Sequence, residues 1–183
     1  LAEPFIEELL YDLLIPILRK NIKMQLESGA EIVYVFDTNS KQLDKDYFEK
    51  KYLKEIKKEL FQPFPNKIAY FSKNKSFYDI NEIEKNSYEL AGTVFPMEEG
   101  FRSYIGKSKK GFVQGNFSPI SLLKPHSDFL LDFNVFLKKM KSLSVADRTG
   151  WICSLNHGVL PKTPEINVRH FIQAIREQFS GGN

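Results

Sequence analysis

Apolar residues recur every four positions at the start of the chain: Phe5, Leu9, Leu13 and Ile17, with Ile6, Leu10, Leu14 and Leu18 beside them. That spacing predicts a helix. Pro4 suits its first turn, Pro16 predicts a kink or a division, and Gly29 stands where a helix end favours a left-handed residue. The pattern then changes. "EIVYVFD" (31–37) is a β-branched and aromatic run that reads as a buried strand. Phe48, Tyr52, Ile56 and Leu60 mark a second helix, with Asp44 or Asp46 available as its N-cap. "KIAYFS" (67–72) is a second strand, and "FYDINEIEKNS" (77–87) reads as a helix or helical turn.

The alternation continues. "LAGTVF" (90–95) is a weaker strand, "MEEGFRSYIG" (97–106) a short helix closed by Gly106, and "GFVQGN" (111–116) another strand. Ser118 and Pro119 suit the cap and first position of a helix, and a further helix runs over 129–140. "WICSL" (151–155) is the fifth strand. The last helix is expected from Pro164 to about Phe179, capped by Thr163, with Val168, Phe171, Ile172, Ile175 and Phe179 on one face. Strands that alternate with helices and read as continuous apolar runs predict a parallel sheet buried on both faces, an α/β fold of about five βα units.

Composition narrows the classes. The chain has 183 residues, enough for one domain, and its 42% hydrophobic and 27% charged fractions are those of an ordinary globular protein. Sixteen Phe and eight Tyr supply a large core. A net charge of +3, with basic clusters only at 107–110 and 138–141, reads as solvated faces rather than a nucleic-acid surface. Apolar stretches are broken by charge well before membrane-spanning length, so no membrane partner is expected. The single cysteine, Cys153, allows no internal disulfide and fits a reducing, cytoplasmic setting as a buried thiol. The chain opens on Leu1 without an initiator methionine or a basic signal region, which reads as a start inside a longer polypeptide.

In a parallel α/β protein, ligands sit at the carboxyl ends of the strands. The residues there are Asp37-Thr38-Asn39-Ser40, Ser72-Lys73, Phe95-Pro96, Gly115-Asn116 and Asn156-His157-Gly158. His157 is the leading candidate, because an imidazole beside a glycine can donate to a carboxylate or move a proton near neutral pH. A structural loop histidine is the alternative. Asp37 and Thr38 could bind a ligand or simply cap a turn. Nucleotide loops, metal-binding His/Cys motifs and a nucleophile elbow are missing from the sequence. His126 is expected in a loop and His170 in the last helix, with no metal-ligand partner near either in sequence; no metal and no cofactor is expected.

"LNHGVLPKTPEINVRHFIQAIRE" closely resembles the end of uroporphyrinogen decarboxylases, a strand followed by Gly-His-Gly, a Pro-x-Thr-Pro turn and a helix containing Asn-Val. Three further stretches agree in order: "LESGAEIVYVFDTNSKQLDKDYF", "NKIAYFSK" and "GFVQGNFSPISLLKP". The resemblance implies the carboxyl-terminal part of a (β/α)8 barrel. It implies a cytoplasmic lyase of haem biosynthesis, which decarboxylates the acetate side chains of uroporphyrinogen to give coproporphyrinogen without a cofactor. By motif position, His157 matches the family's active-site histidine, and Thr38, with Asp37 before it, a Ser/Thr motif near the tetrapyrrole substrate. There are departures. Asn156 stands for the glycine before the histidine, and Ser118 for an aspartate of Gly-Asn-x-Asp-Pro. The family's arginine-rich motif, pyrrole-binding aspartate and active-site tyrosine, which belong to its amino-terminal half, have no match in residues 1–183.

Two other readings stay open at this point. One is an inactive barrel fragment acting as a binding or assembly module. The other is a cobalamin-linked methyltransferase of the same superfamily, which would need zinc held by His and Cys at strand ends. Five strands cannot close a barrel, so the strands at Glu31 and Trp151 are expected to present apolar edges, through Val33, Val35, Ile152 and Leu155. A homodimer or a companion amino-terminal fragment would cover them.

Overall fold

The computed structural model describes residues 4–78, 89–97, 100, 101, 104, 105 and 111–179. The backbone forms two compact units, Leu1–Val94 and Phe95–Asn183.

The first unit begins with α1 (Pro4–Glu8), widens into a π-helical stretch over Leu9–Leu14 and resumes as α2 (Ile15–Glu27). Pro16 falls at the start of α2, where its missing N–H matters least. No break accompanies Pro16: the backbone stays right-handed helical through Leu14 and Ile15, and only the hydrogen-bonding pattern changes, from π- to α-helical, just ahead of it. Gly29 follows the helix end at φ +103°, a conformation that glycine adopts without strain.

The inward face of this first helical stretch is set by residues at 7, 11, 15 and 19. Glu7 pairs with Lys51, the Tyr11 and Tyr47 hydroxyls lie 3.0 Å apart, Ile15 is buried, and Arg19 bonds Glu59 at 3.0 Å. The series most visible in the sequence, Phe5, Leu9, Leu13 and Ile17, is two residues out of step with that face and lies exposed, Phe5 by 70%.

Strand β1 (Val33–Asp37) pairs in parallel with β2 (Ile68–Ser72), in register from Val33↔Ile68 to Asp37↔Ser72. Strand β3 (Gly92–Val94) adds to β2 through Ala69↔Gly92 and Tyr70↔Thr93, again parallel. Between β1 and β2 the chain is helical over α3 (Lys45–Tyr47), a π-helical stretch Phe48–Tyr52, α4 (Leu53–Ile56) and a second π-helical stretch Lys57–Phe61. Of the two expected caps Asp44 is the one used: its carboxylate accepts the Tyr47 N–H at 2.9 Å. Phe48, Ile56, Leu60 and Phe61 bury themselves with Ile68, Tyr70 and Phe77 to form the core.

All five residues of β2 are buried, as expected of a central strand. β1 departs from that expectation. Its burial alternates: Val33 is buried and Val35 partly so, while Tyr34 and Phe36 are exposed, Phe36 by 63%. One face of β1 meets the helices and the other meets solvent. The valines expected to line an apolar edge are therefore the covered ones.

The second unit contains β4 (Phe112–Phe117) and β5 (Trp151–Leu155), parallel and in register from Val113↔Trp151 to Phe117↔Leu155. Its helices are α5 (Pro119–Leu123), α6 (His126–Lys141), α7 (Val145–Arg148) and α8 (Glu165–Phe179). Ser118 occupies the cap position of α5 but makes no side-chain capping bond; Pro119 takes the first helical position. His126 opens α6 rather than sitting in a loop, because Pro125 supplies the non-helical cap geometry one residue earlier.

Phe117 stands at the centre of this core, with ring centroids 5.2–6.1 Å from Phe129, Phe133, Phe136 and Phe171. On α8, Asn167, Phe171 and Ala174 are buried and Val168, Ile175 and Phe179 pack beside them. Ile172, expected on that face, is exposed instead, since the position next to Phe171 turns about 100° away around the helix.

The 77–87 helix beyond Tyr78, most of the 97–106 helix with its Gly106, and the basic cluster at 107–110 fall outside the described residues. Lys75–Tyr78 forms a single 3-10 turn. No helix among the described residues is long and apolar enough to cross a membrane.

Candidate active site

At the carboxyl end of β1, Asp37 turns toward the helices. Its Oδ2 accepts the hydroxyls of Tyr52 at 2.8 Å and Tyr70 at 2.6 Å, and its Oδ1 accepts the Ser40 N–H at 3.2 Å. Burial, reinforced by the adjacent Asp37 charge, raises both tyrosine hydroxyls well above the usual phenol range. They stay protonated and act as donors. Asp37 thus closes the turn after β1 and ties it to β2.

Ser40 extends this lock. Its hydroxyl donates to the Asp37 carbonyl at 2.8 Å and lies 2.8 Å from the Ser72 hydroxyl, which in turn accepts the Asn74 N–H. The Asn74 amide donates to the Ser40 and Leu43 carbonyls. The Tyr78 hydroxyl lies 2.7 Å from the Val94 carbonyl and accepts the Ser72 N–H. Ser40, Ser72, Asn74 and Tyr78 are all buried, so this end of β1, β2 and β3 is held by a closed polar network. Ser72, a strand-end residue in the sequence, belongs to that network and not to an open surface.

The accessible part of this end is different. Thr38 and Asn39 are exposed. Pleating places Tyr34 and Phe36 on the β1 face opposite Asp37, their rings stacked 6.0 Å apart and Phe36 lying 5.8 Å from Phe71. Sequence reading passed over this aromatic pair as core. The signal that could have separated them from the core is their strict alternation with Val33, Val35 and Asp37.

In the second unit, the Asn116 amide donates to the Met97 carbonyl at 2.6 Å, and Asn116 registers beside Ser154. The Asn156 N–H continues the ladder to the Phe117 carbonyl at 3.0 Å. His157 and Gly158 follow it into solvent. Asn156 is buried, so the residue that departs from the family pattern closes the strand and His157 is the first side chain presented beyond it.

The turn into α8 is fixed by the Thr163 hydroxyl, which donates back to Leu160 at 2.7 Å, and by Asn167. Asn167 is fully buried. Its amide donates to the carbonyls of Leu122 and Lys124 at 2.9 and 2.8 Å, and its oxygen lies 2.7 Å from His126 Nδ1. With both amide hydrogens engaged, Oδ1 must accept, so His126 donates from Nδ1. Asn167 is the polar residue that sequence reading left without a role; an Asn placed among the apolar positions of the last helix was the available clue.

A cavity of about 590 Å³ lies elsewhere in this unit, lined by Asn116, Phe117, Ser118, Ser121, Asp132 and Lys139 among others. His157 is not part of its lining. The Asp132 carboxylate there accepts Lys124 at 2.7 Å and Ser121 at 2.5 Å, which hold it below the usual carboxylate range. Cys153 packs against the Phe117 core, and burial pushes its thiol up to about 12. Among the described residues no three His, Cys, Asp or Glu side chains gather as metal ligands.

Parallel strands linked by helices, with polar and aromatic side chains collected at the strand ends, make this an α/β protein of the βα-repeat class. The chain matches the uroporphyrinogen decarboxylase (URO-D) family over residues 2–178 and belongs to that family. The family fold is a (β/α)8 barrel, of which this chain carries a part. It is 28% identical over 164 residues to the uroporphyrinogen decarboxylase of Nostoc punctiforme, covering 87% of this chain and 44% of that protein. It is 27% identical over 182 residues to that of a Synechocystis species, covering 96% of this chain and 49% of that protein. It is 28% identical over 165 residues to that of a Thermus thermophilus strain, covering 85% of this chain and 44% of that protein. The chain spans less than half the length of these curated relatives.

Proposed function

We propose that the protein to which this chain contributes is a carboxy-lyase that removes the acetate carboxyls of uroporphyrinogen. The observation that carries the reading is the family match over residues 2–178. The exposed positions of Thr38 and His157, each just past a strand end, are compatible with it. In such a reaction each acetate arm, R–CH₂–CO₂⁻, loses CO₂ and gains one proton to become R–CH₃. The site must therefore hold carboxylates and deliver protons. His157 can do either, since an imidazole donates to a carboxylate and exchanges protons near neutral pH. Thr38 offers a hydroxyl donor to a substrate carboxylate. The Tyr34–Phe36 face supplies an apolar wall against which a single pyrrole ring can pack. Asp37 acts behind them, holding the turn that presents Thr38.

The test is anaerobic turnover of uroporphyrinogen by the complete protein, with products separated by number of carboxyls. Conversion to coproporphyrinogen, lowered by His157→Ala without loss of the folded state, supports the reading. An intact, folded protein that leaves uroporphyrinogen unchanged rules it out, and unaltered turnover in His157→Ala removes that residue from the site.

A further inference from the structure

Of the three histidines in the chain, two meet although they stand on different helices. His126 opens α6 and His170 lies in the second turn of α8. Their ring centroids are 5.7 Å apart, with the planes at 75°. A phenylalanine ladder brings them together. Phe129 and Phe133 stack at 5.3 Å, and His170 stands nearly perpendicular to both, at 5.9 and 6.1 Å. His126 tilts on Phe129 from the other side of the contact, at 5.9 Å. The two imidazoles differ in freedom. Fully buried Asn167 commits both amide hydrogens to the Leu122 and Lys124 carbonyls, so its oxygen accepts from His126 Nδ1 at 2.7 Å. The proton is thereby fixed on Nδ1 and the lone pair on Nε2. Among the described residues Nε2 has no hydrogen-bond partner, and it is not sealed from solvent. His170 is exposed, and its ring makes no hydrogen bond among the described residues.

We propose that His126 and His170 form a binding site for a divalent transition-metal cation, held by His126 Nε2 and one ring nitrogen of His170, with water in the remaining positions. Ring packing accounts for the contact between the two imidazoles but leaves Nε2 unused. A histidine that donates one N–H to a fixed oxygen and keeps its other nitrogen as a lone pair is prepared for a metal, because the oxygen sets both tautomer and ring orientation. The spacing suits it. With each nitrogen about 2.0–2.1 Å from an ion, the centroids of two ligating imidazoles lie roughly 4.5 to 6.4 Å apart as the N–metal–N angle opens from a right angle to a straight line. The observed 5.7 Å falls inside that range. His126 is the fixed ligand, since turning its ring breaks the bond to Asn167. His170, at the surface, is the ligand that can turn to meet the ion. The ligand type sets the class of ion. Imidazole suits copper, nickel and zinc, whereas magnesium and calcium take oxygen ligands. Among the divalent ions Cu²⁺ binds such nitrogen sites most tightly. The bound ion clips the start of α6 to α8 and does not involve His157.

The experiment takes the complete protein, strips it with a chelator and titrates Cu²⁺ in a buffer that does not coordinate metals. Equilibrium dialysis counts bound equivalents, and nitrogen coupling in the electron paramagnetic resonance spectrum reports imidazole ligation. The readout is a difference between parent and variants, so copper held elsewhere cancels. His170→Ala and His126→Ala should each weaken one equivalent by about tenfold or more. The double variant should lose that same single equivalent, as two halves of one chelate must. Zn²⁺ should compete more weakly than Cu²⁺, and Mg²⁺ not at all. Saturating Cu²⁺ should raise the melting temperature of the parent and not that of the variants. Circular dichroism checks folding, and His170→Ala, a surface change, carries the test if His126→Ala unfolds. An unchanged copper count in His170→Ala overturns the proposal. So do losses that add in the double variant, which would mean two independent imidazoles, or half-saturation of the equivalent only above about 1 mM.

Discussion

Tyr70, in the middle of β2, donates its hydroxyl hydrogen to the Asp37 carboxylate at the end of β1 across 2.6 Å. The two residues lie thirty-three positions apart and meet because the parallel register puts Val35 beside Tyr70 and Asp37 beside Ser72. Tyr70 is fully buried, packed edge-on against Phe61 and Phe77, so its hydroxyl has no water to fall back on.

Removing the acceptor should therefore be costly. Asp37→Ala strands the buried hydroxyl of Tyr70 and that of Tyr52 together, and a loss of about 2–4 kcal/mol is expected. Tyr70→Phe removes one donor and leaves Asp37 with Tyr52 and the Ser40 N–H, so about 1 kcal/mol is expected. Urea denaturation at constant slope measures both. Equal losses in the two variants would show that the orphaned donors are not what the carboxylate protects.

The same pair sets a response to alkali. Burial and the Asp37 charge raise the folded-state pKa of Tyr52 and Tyr70 above the unfolded value of about 10. Their contribution is full below about pH 10. Above it the unfolded chain loses protons that the folded protein keeps, so stability falls as pH rises. Denaturation midpoints at about pH 8.5, 9.5, 10.5 and 11 should decline steeply in the parent and less steeply in Tyr52→Phe/Tyr70→Phe. Parallel curves would assign the decline to lysines or to other tyrosines.

Asn167 makes a comparable claim in the second unit. Its amide serves the Leu122 and Lys124 carbonyls, which the end of α5 leaves without helical partners, and its oxygen receives His126. Asn167→Ala is expected to lower stability by about 2–4 kcal/mol. Asn167→Asp should do at least as much harm, because it turns an acceptor toward two carbonyl oxygens. His126→Ala removes one bond of the three and should cost about 1 kcal/mol. Thermal melts of the three variants give the ranking, and an Asn167→Asp protein as stable as the parent would exclude donation to those carbonyls.

Asp37 and Asn167 show where sequence reading succeeds and where it stops. The five strands were legible because each is a short apolar run between turn residues. Asp44 over Asp46 as cap was a choice of one residue within a correctly placed helix start. The family resemblance, too, lay in local strings such as "LNHGVLPKTPEINV". The partners of Asp37 were not legible, since a carboxylate after a strand looks the same whether it faces a ligand or two tyrosines from distant segments. Register and pleat decide that, and neither is written locally. The first helical stretch is the sharper lesson. Its period-four strip was plain, but periodicity names a face without saying what covers it. Here residues 7, 11, 15 and 19, two of them charged, face the neighbouring helices, while the more apolar series faces out. Only the packed neighbours reveal this.

Cys153 gives the last expected outcome. Cys153 is partly buried against the Phe117 cluster, and that burial pushes its thiol up to about 12. Thiolate is the reactive form, so at about pH 8 the folded protein offers only about one part in ten thousand, against roughly a tenth or more for an open cysteine. Ellman's reagent should then react on the order of a hundredfold or more slowly with the native chain than with the same chain in about 6 M guanidinium. The rate should also track unfolding: Asn167→Ala, which loosens the helix packed over β5, should speed labelling at low urea before it alters the final extent. Rapid, stoichiometric labelling of the folded parent at the same pH would show that packing against the Phe117 cluster does not hold the Cys153 thiol protonated.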